Sequence, residues 1–254
     1  MKSKLFTAAL AALMLSSCTP KENGYFDNLP QEANPIEIGN KITNRFLEQG
    51  HSQYGSPLRV NEPRTQITYP DVCTWLGGLW FAQETDNKEL TERLKARFEP
   101  LFTNEAYLQP KPNHVDNNVF GAVPLELYLQ TGEERYKTLG MMYADSQWEL
   151  PANWKLKEGE ERQSSMYGDF KDADICQPEQ KEWADKGYSW QTRFWLDDMY
   201  MITTIQAQAY RVTNDRKYID RAAREMVLYL DSIQQTSGLF YHAPTAPFCW
   251  GRGN

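Results

Sequence analysis

Thr213-Asn-Asp-Arg-Lys-Tyr218 has two counterparts earlier in the chain, Thr85-Asp-Asn-Lys-Glu-Leu90 and Thr131-Gly-Glu-Glu-Arg-Tyr136. Each follows an apolar segment and opens an amphipathic one. The first interval is 46 residues and the second is 82, as if 36 residues had been inserted into one repeat. A period of this length, with an apolar helix followed by an amphipathic one, marks stacked helical hairpins whose more apolar helix lies inside. The bland alternative is three unrelated turns that share common turn residues. No stretch reads as a convincing strand ladder, so the expected class is all-α.

The segments between the markers fit this reading. Ile36, Ile38, Ile42, Phe46 and Leu47 share one face of a helix. A second helix opens near Pro70-Asp71 and runs to Phe81, apolar nearly all round, as a buried helix is. An amphipathic helix follows from the Thr85 marker to about Phe102. His114 to Tyr128 is the next buried segment, where Pro124 either kinks a helix or marks its first regular turn. Glu149 to Tyr188 is charged, contains Gly, and carries Trp154 and Trp183. It reads as an excursion over one mouth of the fold. Helices over Phe194–Val212 and Lys217–Ile233 complete the third hairpin.

Residues 1–17 read as a leader rather than as part of the fold. Lys2 and Lys4 precede an apolar run from Leu5 to Leu15, too short to span a bilayer, and then Ser16-Ser17-Cys18. Leu15-Ser-Ser-Cys18 also resembles the bacterial lipobox, which implies lipidation at Cys18, export, and a place in the periplasm or outer membrane. Residues 18–35 then form a polar tether, and 36–254 the folded domain. The net charge is −7 with no basic run, which argues against a nucleic-acid partner. Cys73, Cys176 and Cys249 are few, distant and odd in number, so buried thiols are expected rather than a disulfide framework.

Chemistry concentrates in Gly187-Tyr-Ser-Trp-Gln-Thr-Arg-Phe-Trp-Leu-Asp-Asp-Met-Tyr-Met201, where aromatic rings that can stack on sugars adjoin Asp197 and Asp198. The repeat places Asp71, Asp116 and Asp197/Asp198 14 to 16 residues before their Thr markers. If inner helices line a ring, these acids converge at one mouth and repel, which raises at least one pKa. The plain alternative is that each acid favours a helix start, and for Asp71 that alternative is preferred. His114 and Asp116 form a lone HxD pair, weak as a metal site. Arg193 and Arg252 could hold a substrate carboxylate or make structural ion pairs.

Trp195-x-Asp197 with Met-Tyr-Met201, His114-Val-Asp116-Asn, and Phe240-Tyr-His242 followed by Trp250-x-Arg252-Gly-Asn254 together resemble the unsaturated glycuronyl hydrolases. The similarity is greatest to glycoside hydrolase family 105, the unsaturated rhamnogalacturonyl hydrolases, which are related to family 88. The resemblance covers about residues 36–254. It implies an (α/α)6 barrel of twelve helices, of which about seven are present, so a C-terminal truncation is expected. It also implies removal of a 4,5-unsaturated uronic acid from lyase-generated oligosaccharides by hydration of the double bond, without metal or cofactor. Asp197 is then the acid/base and Asp116 the second essential carboxylate. Asp198 is the register alternative, which the repeat count fits slightly better. His114, Trp195, His242, Trp250 and Arg252 would line the sugar site. Two competing readings are a glycan-binding lipoprotein without catalysis and a hydrolase of saturated glycosides on the same fold.

Overall fold

The computed structural model describes residues 29–51, 65–150, 155–156, 175–176 and 178–249. The leader, Cys18, Trp154, Trp250 and Arg252 lie outside the described residues. The chain divides into two units, Met1–Ile42 and Thr43–Asn254. In the first, a short 3-10 turn over Gln31–Ala33 precedes α1 (Pro35–Glu48), which runs on into the second unit. The Asn34 side chain accepts a hydrogen bond from the Ile36 amide at 2.9 Å and so starts that helix.

The larger unit is a row of helical hairpins, as the repeat predicts, and is consistent with the six-hairpin architecture that the resemblance implies. α2 (Tyr69–Glu84) pairs with α3 (Lys88–Phe98), α5 (Ala122–Thr131) with α6 (Glu134–Ser146), and α8 (Asp198–Thr213) with α9 (Lys217–Ile233). α2, α5 and α8 pack side by side as the inner layer. Short α4 (Val115–Asn118) and a 3-10 turn (Val119–Gly121) lead into α5, and Pro124 stands in the first turn of α5, where its missing N–H is harmless.

The three markers are one structure repeated. In each, the Thr hydroxyl donates at 2.7 Å to the carbonyl four residues back: Thr85 to Phe81, Thr131 to Leu127, Thr213 to Ala209. The next residue, Asp86, Gly132 or Asn214, takes a left-handed conformation with φ of 48°, 75° or 56°. Those three residue types tolerate that conformation best, so the same turn is written in three spellings. The bland alternative of unrelated turns is thereby removed.

The layers meet through rings. Trp75, Phe98, Phe120 and Tyr143 form a chain of aromatic contacts with centroids 5.2 to 5.6 Å apart, from α2 through α3 to α6. Where α6 crosses the turn before α5, two glycines allow backbone to touch backbone. A Cβ on Gly140 would stand 2.8 Å from the Gly121 carbonyl, and one on Gly121 would stand 2.9 Å from the Gly140 carbonyl. Toward the far ends of the inner helices, Glu126 of α5 is wholly enclosed. Its carboxylate accepts from Trp80 Nε1 (3.0 Å), Gln130 Nε2 (3.0 Å), Gln208 Nε2 (2.6 Å) and Arg211 Nη1 (2.5 Å). One buried acid thus ties α2, α5 and α8 together.

Three expectations need correction. The helix expected from Phe194 begins only at Asp198, because Phe194 is left-handed with φ 61°. The excursion contains α7 (Pro178–Asp185) and a two-residue parallel pairing of 155–156 with 175–176, neither of which the sequence pattern announced. Buried thiols were expected, yet Cys249 is exposed and Cys73 half-buried. Among the described residues, no helix is long and apolar enough to cross a membrane.

Candidate active site

The N-terminal ends of α4 and α8 carry the site. His114 occupies the N-cap position of α4 with extended backbone (φ −155°), its Nδ1 3.1 Å from the Asp116 amide. The short helix is anchored by Asn118, whose amide donates to the Tyr143 carbonyl at 2.7 Å and meets Ser146 Oγ at 2.6 Å. Asn117 accepts from Gln66 at 2.9 Å and donates to Asn113 at 3.1 Å.

Opposite stands the segment Ser189–Asp197, shaped mostly by α9. Glu225 is fully buried there, accepts from the Ser189 amide at 3.0 Å and bonds to the Thr192 hydroxyl. Burial pushes its carboxyl up to about 7, with the bonds from Thr192 and Ser189 opposing. One turn further along α9, the Tyr229 hydroxyl donates to Asp198 Oδ2 at 2.9 Å and packs against Phe194. Trp183 of α7 also packs on Phe194, edge to face, with centroids 5.2 Å apart. These two rings hold an aromatic residue in a conformation that costs about 1–3 kcal/mol. The sharp turn at Phe194 sets the Arg193 guanidinium 4.8 Å over the Trp195 ring.

Arg193 then organises the centre. Its Nε donates to Asp198 Oδ1 at 2.8 Å, its Nη2 to Asp116 Oδ1 at 3.0 Å, and its Nη1 lies 2.9 Å from His114 Nε2. Asp198 is fully buried, and its second oxygen faces Tyr229 and the Trp195 amide. Burial raises its carboxyl pKa, with Arg193, Tyr229 and the Trp195 amide pulling it back. Asp116 differs. Its side chain keeps 30% exposure, yet desolvation dominates and lifts its carboxyl to about 6. Arg193 opposes that rise, and the charges of Asp198 and Asp197 add to it. Desolvation, then the Arg193 charge, holds His114 well below the ordinary histidine range, so its ring is neutral.

Asp197 is the N-cap residue of α8, partly exposed, and close enough for its charge to act on Asp116. His242 is buried edge-on to Trp195 at 5.0 Å and stacked on Phe248 at 5.7 Å. Its carbonyl accepts the Leu196 amide at 2.9 Å, which ties the loop after α9 to the site. The structure therefore brings together Asp116, Asp197, Asp198, His114, Trp195 and His242. Asp71 stays out: it closes a capping box with Thr68, accepting its amide at 2.9 Å and its hydroxyl at 3.0 Å. Arg193 makes structural ion pairs, the second of its two sequence readings.

Over residues 38–254 the chain matches the family model described as Glycosyl Hydrolase Family 88. The chain belongs to glycosyl hydrolase family 88. It is thereby a glycoside hydrolase of the kind that acts on unsaturated uronic acids. No curated protein matches the chain.

Sequence reasoning left Glu225, Tyr229 and Phe194 out of the site. A signal existed for the first two. Tyr218, Ala222, Glu225, Tyr229 and Ile233 form the buried stripe of α9, and a carboxylate on an apolar stripe needs a partner. Nothing in the pattern marks Phe194 as left-handed.

Proposed function

We propose that this family 88 member is an unsaturated rhamnogalacturonyl hydrolase of the family 105 type, exported and lipid-anchored at Cys18. It removes the 4,5-unsaturated uronic acid from the non-reducing end of lyase-generated pectin-type or arabinogalactan-type oligosaccharides. The observation that supports this most is Asp116, a partly exposed carboxyl lifted to about 6 beside a second carboxylate, Asp197. A carboxyl poised near neutrality beside Asp197 can hold a proton in the site and resupply the acid/base, which protonation of an enol-ether carbon needs.

In this reading Asp197 gives a proton to C4 of the substrate, and the positive charge that develops at C5 is shared by the ring oxygen. The same carboxylate then takes a proton from the water that adds at C5. The hemiketal so formed opens to a ketone, and the hemiacetal left at C1 releases the next sugar as its free alcohol. Asp116 keeps a proton in the site when Asp197 has spent its own. Trp195 and His242 offer an aromatic wall for the sugar, and Trp250 and Arg252 are assigned to sugar and carboxylate binding.

The test is ultraviolet absorbance of the conjugated double bond, followed with an unsaturated rhamnogalacturonan disaccharide. Loss of absorbance with release of rhamnose is the expected result. Consumption of other unsaturated uronides but not this one would leave the family chemistry and remove the rhamnogalacturonan assignment. No consumption of any, with sugar binding retained, would favour a glycan-binding lipoprotein.

A further inference from the structure

Each of the three guanidinium nitrogens of Arg193 already has a protein partner, and the side chain is 13% exposed. Nη2 also lies 2.8 Å from Asp198 Oδ1, so at most one of the five N–H groups is left over, too few to fork onto a substrate carboxylate. Its partners come from both halves of the site: Asp198 from α8, and His114 with Asp116 from α4, 77 to 79 residues away in sequence.

His114 reveals what this contact does. The Asp116 amide stands 3.1 Å from Nδ1 and Arg193 Nη1 stands 2.9 Å from Nε2. Both neighbours only donate, and a neutral imidazole has one lone pair, so one contact must give way. The guanidinium is permanently charged and makes the stronger bond, so Nε2 accepts and the proton resides on Nδ1. That nitrogen lies 3.7 Å from Asp116 Oδ2, beyond hydrogen-bond distance but near enough for its N–H dipole to act on the carboxyl, while Arg193 Nη2 holds Asp116 Oδ1.

We propose that Arg193 is a positioning residue: one guanidinium fixes Asp198, Asp116 and His114 as a unit, with His114 kept as the Nδ1–H tautomer turned toward the Asp116 carboxyl. Its part in catalysis rests on the reading that Asp116 and Asp197 hydrate an unsaturated uronide. Among the described residues, the charged groups that act on the His114–Asp116 pair include Arg193, Asp197 and Asp198, with Tyr229 behind Asp198.

The chain has three histidines, so ring nitrogen spectra of 15N-histidine-labelled protein can be assigned with single His51→Gln and His242→Gln variants. In the wild type, the His114 signals should show Nδ1–H and stay unchanged between about pH 5 and 8. In Arg193→Met the lone pair falls to the Asp116 amide, and the proton should move to Nε2 or the ring should charge. Arg193→Lys keeps a cation for Asp198 but cannot span three acceptors. Folded Lys variant should lose about 10- to 100-fold in kcat with KM within about threefold, and its pH optimum should move. A wild-type Nε2–H signal, titration of His114 in that range, or an unchanged tautomer in Arg193→Met overturns the placement of Arg193. The wild-type spectrum decides this even if neither variant folds. An inactive wild type with the Nδ1–H signal instead overturns the hydration reading and, with it, any part for Arg193 in a reaction.

Discussion

Glu126 and Asp116 are both acids set against an arginine at the inner helices, and they end in opposite states. Glu126 is wholly enclosed, yet donors from Trp80, Gln130, Gln208 and Arg211 surround it. Burial pushes its carboxyl up, but these bonds win and hold it below the ordinary value. Asp116 is more exposed to solvent yet has one strong donor, Arg193, which it shares with Asp198. Its carboxyl therefore rises to about 6. Desolvation pushes both carboxyls up; what separates them is the ring of donors around Glu126 and the like charges of Asp198 and Asp197 beside Asp116. A saturated acid holds helices together, and an undersupplied one is available for proton transfer.

The largest effect that would break this contrast is at the open site. Asp197→Asn and Asp116→Asn should each lower kcat by about 10²–10⁴-fold while disaccharide binding, measured calorimetrically, persists. The wild-type rate should decline as pH rises through about 6, where Asp116 loses its proton, and Asp116→Asn should abolish that limb. Glu126→Ala strands Arg211 and three further donors, so it should destabilise by about 3–5 kcal/mol in urea unfolding. The pH dependence of any remaining turnover should be unchanged.

Glu225→Gln sharpens the comparison from outside the pair. A carboxyl near 4.5 when unfolded and near 7 when folded keeps a proton that the unfolded chain has lost. Stability contributed by that proton is complete below 4.5 and is lost as pH rises toward 7. The Gln variant should remove that decline, worth on the order of 3 kcal/mol between acid and mildly alkaline pH. Thermal melts of both proteins across that range would check it, and parallel curves would refute it. The smallest effect belongs to the repeated turn: Asn214→Ala should destabilise by about 1 kcal/mol and Asn214→Gly by less, because only the former resists the left-handed conformation.

The hairpin repeat was legible because it rests on local chemistry. A threonine that bonds back along its helix, then a residue tolerant of positive φ, writes the turn within two positions. The approach of Asp116 to Asp197 was legible through the same repeat, since equal spacing from a turn puts helix starts at one level. The Arg193 contacts were not. Arg193 and Asp198 are five residues apart, a spacing that no regular helix brings face to face, and only the turn at Phe194 makes them meet. That turn depends on Trp183 in the excursion and Tyr229 in α9, neither adjacent in sequence. The inward-turned Asp198, against the half-open Asp197, is likewise a product of α9 packing rather than of the Asp-Asp pair itself.

The reach of Arg193 back to α4 has a consequence for how the protein is made. Its contacts to Asp116 and His114 close chain segments of 77 and 79 residues, and Gln191 closes another of 73 onto Asn118. Segments that long are joined late, after each hairpin has formed its own local contacts. A nascent chain ending before Ser189 would carry Asp116 without its cation, on a helix start with no opposing wall. Assembly of the Asp116–Arg193–Asp198 cluster and docking of the third hairpin on the second are then one event, so folding intermediates with two hairpins lack that cluster.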